Sequence, residues 1–240
     1  MKKFLIAAVI CLFAATAFAA SPLDVFKDRK GKIDIAGGTA HIPVMKEAAT
    51  RIMGVNPDIR ITVAGGGSGV GVKQVGEGLV EIGNTGRPLK KDEVEKYGLE
   101  TFPFAIDGVA VVVNPANKVA ELSFEQLIDI YAGKITNWKA VGGDDAEINL
   151  YVREDGSGTR EVFTDKAIKK GDVSAKANVV NSNGAMKTAV AKDARAIGYV
   201  GIGHIDSSVK APKLAGMTAT QENAASGKYT VVRDLFMNTK

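Results

Sequence analysis

The sequence predicts an α/β protein, on three observations. Short β-branched runs alternate with helical patterns, turns separate them without any fixed-period repeat or low-complexity tract, and many of the 27 glycines fall at strand ends and helix starts. Such a βα rhythm argues for a sheet buried on both faces.

Taken in order, "KIDIA" reads as a strand and is followed by a helix to about Arg51. "IRITVAG" begins the next unit, with a helix to about Leu79, then "VEIG" and a short charged helix from Lys91. The apolar run Val109 to Val113 predicts a buried strand closed by Asn114-Pro115, and Ser123 with Gln126 predicts a capping box on a helix carrying Leu127, Ile128 and Ile130. "INLYV", a helix after Gly158, "ANVV", a helix from Ser182 and the strand "AIGYVG" continue the pattern, and "YTVVRDLFMNTK" reads as a late returning strand.

Ahead of these elements stands "MKKFLIAAVICLFAATAFAA": two lysines, an apolar run and small residues. It reads as a secretory signal over residues 1–19, cleaved after Ala19, which places the mature chain in the periplasm. Cys11 lies inside the apolar run rather than at its end, which argues against a lipoprotein signal, and the run is short for a membrane anchor. Cleavage removes the only cysteine, so the mature fold is expected to rest on packing without disulfides. The formal charge of +4 includes Lys2 and Lys3 of the leader, and the remaining charges are scattered. No basic stripe with interleaved aromatics appears, so nucleic acid is not an expected partner.

Three loops carry the functional signal, each between a strand and a helix: Gly37-Gly38-Thr39-Ala40, Gly65-Gly66-Gly67-Ser68-Gly69 and Gly156-Ser157-Gly158-Thr159. The first turn of a helix has unpaired amides and favours negative charge, and small residues let an anion approach them. Thr39, Ser68, Ser157 and Thr159 add hydroxyl donors. Arg153, just before the third loop, can supply charge and a planar donor fork. Arg87 and Arg160 can point either into the cleft or toward a carboxylate on its rim.

The rival readings are weaker. No loop ends in the Gly-Lys-Ser/Thr of a nucleotide-binding loop, and "GGTAHI" does not complete the dinucleotide pattern. "EDGSGTR" lacks the spacing of a nucleophile elbow, and the two histidines, His41 and His204, form no metal motif, so neither cofactor nor metal is expected. A phosphoester-processing enzyme stays as the alternative of a different class. Phe102, Phe104, Tyr131, Trp138 and Phe163 read as packing residues.

Through "GGTAHIPVM", "GGGSGVGVKQ", "VEIGNTGRPL", "YAGKITNW", "REDGSGTREVF" and "ARAIGYVG", from about Lys32 to the C-terminus, the chain resembles the periplasmic phosphate-binding proteins of ABC importers. The resemblance implies a two-lobed class II binding-protein fold with a ligand cleft between the lobes. On it, residues 20–106 and 200–240 would form the first lobe and 107–199 the second, with hinges near Ile106 to Gly108 and Val200 to Gly203. It further implies a non-catalytic, monomeric protein that hands inorganic phosphate to an inner-membrane ABC permease. The ligand set it implies is Thr39, Ala40, Ser68, Arg153, Ser157, Gly158 and Thr159, with Ala40 acting through its amide. Sulfate, molybdate or tungstate remain alternative ligands, for transport or sensing. Some relatives carry an aspartate where this chain has Gly86, accepting the proton of hydrogen phosphate; Thr85, Asp155 or Glu154 are candidates to replace it. Relatives also carry a further helix after the last strand, which implies a truncated or unusually short member.

Overall fold

The computed structural model describes residues 21–240, so the expected leader lies outside the described residues. Each expected βα unit forms: β1 (Gly31–Gly37) and α1 (Ile42–Val55), β2 (Ile59–Val63) and α2 (Ser68–Gly76), β3 (Ile82–Thr85) and α3 (Lys91–Tyr97). β4 (Glu100–Val113) then leads through β5 (Glu121–Leu122) to α4 (Phe124–Tyr131). The second half holds β6 (Asn149–Arg153), α5 (Gly158–Val162), β7 (Asn178–Val180), α6 (Asn183–Lys192) and β8 (Ala196–Gly201). β9 (Lys213–Leu214), α7 (Gln221–Ala225) and β10 (Val232–Thr239) close the chain. The capping box on α4 is realised in both directions: the Gln126 amide donates to Ser123 Oγ at 3.1 Å, and the Ser123 amide donates to Gln126 Oε1 at 2.9 Å.

Eight strands form one sheet in the order β2-β1-β3-β10-β4-β8-β6-β7, and β5 pairs β9 separately. β1, β2 and β3 run parallel, as do β6, β7 and β8, while β10 and β4 are the antiparallel strands that join the two sets. β4 is the pivot of this arrangement. Its residues 100–108 pair with β10, and from Val109 its partner becomes β8.

The strand is much longer than the expected run Val109 to Val113. Its first half, "ETFPFAID", contains a proline, which cannot donate to a ladder. A register shift between Leu235 and Phe236 absorbs it, since Leu235 pairs Ala105 and Phe236 pairs Pro103.

Two cores flank the pivot. Ile35, Met45, Ala49, Ile59 and Ile61 pack together on the α1 side, with Val72, Val75 and Leu99 forming a satellite under α2. The larger core gathers Val109 to Val113 with Leu127, Ile130, Tyr131, Trp138, Phe163, Met186, Ile197 and Tyr199. Phe163 stacks on Tyr199 with ring centroids 3.9 Å apart. Val209, Leu214, Ala219, Tyr229 and Val231, which the sequence reading grouped with the first lobe, belong to this larger core. Tyr229 fastens them there, its hydroxyl donating to Val109 O at 2.9 Å. The larger core thus draws in residues well beyond Val200, up to Val231, one residue before β10 begins. Among the described residues no helix is long and apolar enough to cross a membrane.

Candidate functional site

The three glycine-rich loops converge at the carboxyl ends of β1, β2 and β6, where the two halves of the molecule meet. A cavity of about 180 Å³ lies between them, lined by Gly38, Thr39, Ala40, His41, Gly67, Ser68, Gly86, Arg153, Ser157, Gly158, Thr159 and Arg233. All seven residues of the expected ligand set are brought together there. A larger groove, about 1300 Å³ on the same measure, shares Gly86 and Arg233 with it, but its other walls include Ile106, Val162, Ala224, Val232 and Phe236, and the loop hydroxyls do not line it.

Four hydroxyls face the cavity, and each already accepts a bond from a protein N–H. Thr39 Oγ1 accepts from the amide and the side-chain Nδ2 of Asn183 at 3.1 and 2.9 Å. Ser68 Oγ accepts from the Gly86 amide at 3.0 Å, Ser157 Oγ from the Arg160 amide at 3.2 Å, and Thr159 Oγ1 from Arg233 Nη1 at 3.0 Å. With its oxygen engaged as an acceptor, each hydroxyl keeps its own proton to donate. The result is a ring of donors around one small space.

Arg153 completes that ring. It is 1% exposed, and Nε and Nη2 each donate to Glu154 at 2.8 Å, while Nη1 has no hydrogen-bond partner among the described residues. A buried guanidinium nitrogen left unpaired is costly, so its position beside four hydroxyls favours an anionic guest. The guanidinium is anchored through its backbone: the Arg153 amide donates to the Tyr199 hydroxyl at 2.9 Å, and burial pushes that phenol up to about 12. The aromatic packing behind the site thus fixes the residue at its centre.

The rim residues divide. Gly86 lines the cavity, but Arg87 turns away to a two-pronged pair with Glu93 at 2.7 Å and reaches Glu161 at 3.0 Å. Arg160 donates to Arg153 O at 2.7 Å and pairs with Asp155, whose side chain is 98% exposed. Thr85 accepts from Asn238 behind the sheet, and Glu154 is held by Arg153. Thr85, Asp155 and Glu154 therefore do not line the cavity, and among the described residues no carboxylate does.

Comparison with known proteins identifies the family. Residues 27–240 match the model of the PBP superfamily domain. The phosphate-binding protein PstS of Bacillus subtilis (strain 168) is 36% identical over 203 residues, covering 84% of this chain and 67% of the relative. PstS of Borreliella burgdorferi is 30% identical, with 89% and 80% covered. The chain belongs to the PstS-like class II solute-binding family. Among solved structures of that kind, a phosphate ABC transporter substrate-binding protein from Clostridium perfringens with bound phosphate superposes with a TM-score of 0.82 at 37% identity, covering 88% of this chain and 86% of that one. An ABC-type phosphate transport receptor from Vibrio cholerae gives 0.66 at 38% identity, with 86% of each chain covered.

Four residues of this PstS-like site escaped the sequence reading. Asn183, fully buried at the start of α6, orients Thr39 as described and accepts from the Gly201 amide at 2.9 Å. His204 Nε2 donates to Thr39 O at 2.9 Å, and burial lowers the imidazole from its ordinary value. His41 Nδ1 donates to Gly38 O at 3.0 Å; desolvation, with Arg233 adding repulsion, lowers its pKa to about 4, so it stays neutral near pH 7. Arg233 reaches the cavity from β10. The signal that could have found it is a charged pair, Arg233-Asp234, inside an otherwise strand-like pattern.

Proposed function

We propose that this protein captures inorganic phosphate outside the cytoplasmic membrane and delivers it, unchanged, to the membrane permease of an ABC importer. The observation that carries the reading is the unpartnered Nη1 of Arg153 set among four hydroxyls whose oxygens are already engaged. That set suits a tetrahedral oxyanion, which needs a donor at nearly every oxygen once it leaves water. The relatives named as phosphate-binding, one of them solved with phosphate bound, support the same ligand.

Within this reading Thr39, Ala40 and Ser68 serve from one lobe and Arg153, Ser157, Gly158 and Thr159 from the other. We place residues 21–108 and 232–240 in the first lobe and 109–231 in the second, with the hinge where β4 changes partner and where Val231 meets Val232. Contacts that span that boundary favour a closed state: the Gly69 amide donates to Gly156 O at 3.1 Å, Arg87 pairs with Glu161, and Lys166 donates to Val232 O at 2.6 Å. A ligand that touches both lobes shifts the equilibrium toward this state. A leader over residues 1–19, a periplasmic location and a monomeric working state belong to the same proposal.

Calorimetric titration with a panel of oxyanions tests it. Phosphate is expected to bind one per chain with no product formed, accompanied by compaction in solution scattering. Absence of phosphate binding, or turnover of a phosphate ester, would refute the reading.

A further inference from the structure

The cavity has a second cation that the ligand set does not include. Arg233 has a side chain only 3% exposed, held by Asp107 through Nε and Nη2 at 3.1 and 2.8 Å, and its Nη1 donates to Thr159 Oγ1 at 3.0 Å. The guanidinium lies against Gly86: a Cβ at that position would come within 2.7 Å of Nη1 and 3.1 Å of Cζ. Glycine at 86 and arginine at 233 therefore occupy one space jointly. A side chain able to accept a proton at position 86 would have to displace the guanidinium.

We propose that Arg233, seated against Gly86, is a specificity-determining residue that makes this wall of the anion cavity a donor, so the site selects its ligand by charge and not by a proton. This rests on the phosphate reading above. A hydrogen-bonded proton on the ligand needs a strong acceptor, and among the described residues no carboxylate lines the cavity. Asp107 is turned to the far side of Arg233, and Glu154 is occupied by Arg153. The more ionised form of phosphate matches two guanidinium groups and four hydroxyl donors better than the form carrying an extra proton.

The charged and titratable groups around the cavity are Arg153 and Glu154 at the end of β6, Arg233 on β10, Asp107 on β4, His41 before α1 and His204 after β8. Phosphate itself changes protonation near neutrality, whereas burial lowers both imidazoles and holds His41, at about 4, neutral throughout that range. Apparent phosphate affinity should therefore rise about tenfold from pH 6 to pH 8, following the dianion. Sulfate, a dianion without a proton to place, should compete with phosphate.

The test is competition calorimetry of phosphate and sulfate on the mature chain across that pH range. It is repeated on an Asp107→Asn, Arg233→Gln double variant, which removes the pair together and avoids a lone buried carboxylate, and on the same background carrying Gly86→Asp. The expected results are a pH-dependent wild type that sulfate inhibits, and a double variant at least about tenfold weaker for phosphate with a flattened pH profile. Adding Gly86→Asp should restore phosphate binding and exclude sulfate. A wild type whose affinity is flat with pH and indifferent to sulfate overturns the proposal without any variant. So does a folded double variant that keeps the wild-type profile, which would leave Arg233 as a structural tie to Asp107. Failure of wild type to bind phosphate at all would instead overturn the function proposed above.

Discussion

At the scale of single residues the site is organised by which atoms are already engaged. Thr39, Ser68, Ser157 and Thr159 are each held as acceptors by the protein, which leaves their hydroxyl protons free to donate, and Arg153 presents one nitrogen that Glu154 does not take. Arg153→Ala should weaken phosphate binding by about 3 kcal/mol, two orders of magnitude in Kd, because it removes a charge-assisted contact in a desolvated cleft. Titration of the variant checks this, and a Kd within about twofold of wild type would take Arg153 out of the site. These residues were legible in the sequence because small and hydroxyl residues before a helix have a local physical reason to be there. Asn183 and His204 were not: their part is to orient Thr39 from 144 and 165 residues away along the chain, and no local pattern encodes such a pairing.

At the scale of elements, helix starts were read more accurately than strand lengths. The box of Ser123 and Gln126 announces α4 because both partners lie within one turn. Ser123→Ala should lower stability by about 1 kcal/mol in denaturant titrations. Phosphate affinity should be unchanged, since α4 does not line the cavity; a shift in affinity would mean that this helix is coupled to the site. The first half of β4 was hidden by Pro103 and by its exposed residues, which break the apolar run that identifies a buried strand. Only pairing with β10, and the register shift opposite the proline, makes it a strand. Arg233 escaped for the same reason: its meeting with Asp107 and Gly86 is a product of the register of β10 between β4 and β3.

At the scale of the whole molecule, two cores share one sheet, and β4 and β10 are the strands that join them. The alternation of strands and helices made the α/β class legible from the sequence, and the quoted motifs pointed to the family. The course of the chain after β8 was harder to read, because residues 209–231 are short elements held by scattered burial of Val209, Leu214, Tyr229 and Val231. On the lobe boundary proposed above, the cavity lies between the lobes, and a ligand held there would make binding and closure one event. The decisive question is where the anion sits. A crystal structure of the phosphate complex decides it: the prediction is one tetrahedral anion within hydrogen-bond distance of Arg153 Nη1 and the hydroxyls of Thr39, Ser68, Ser157 and Thr159. Phosphate found in the wider groove beside Ile106 and Phe236, or held by one lobe alone, would contradict it.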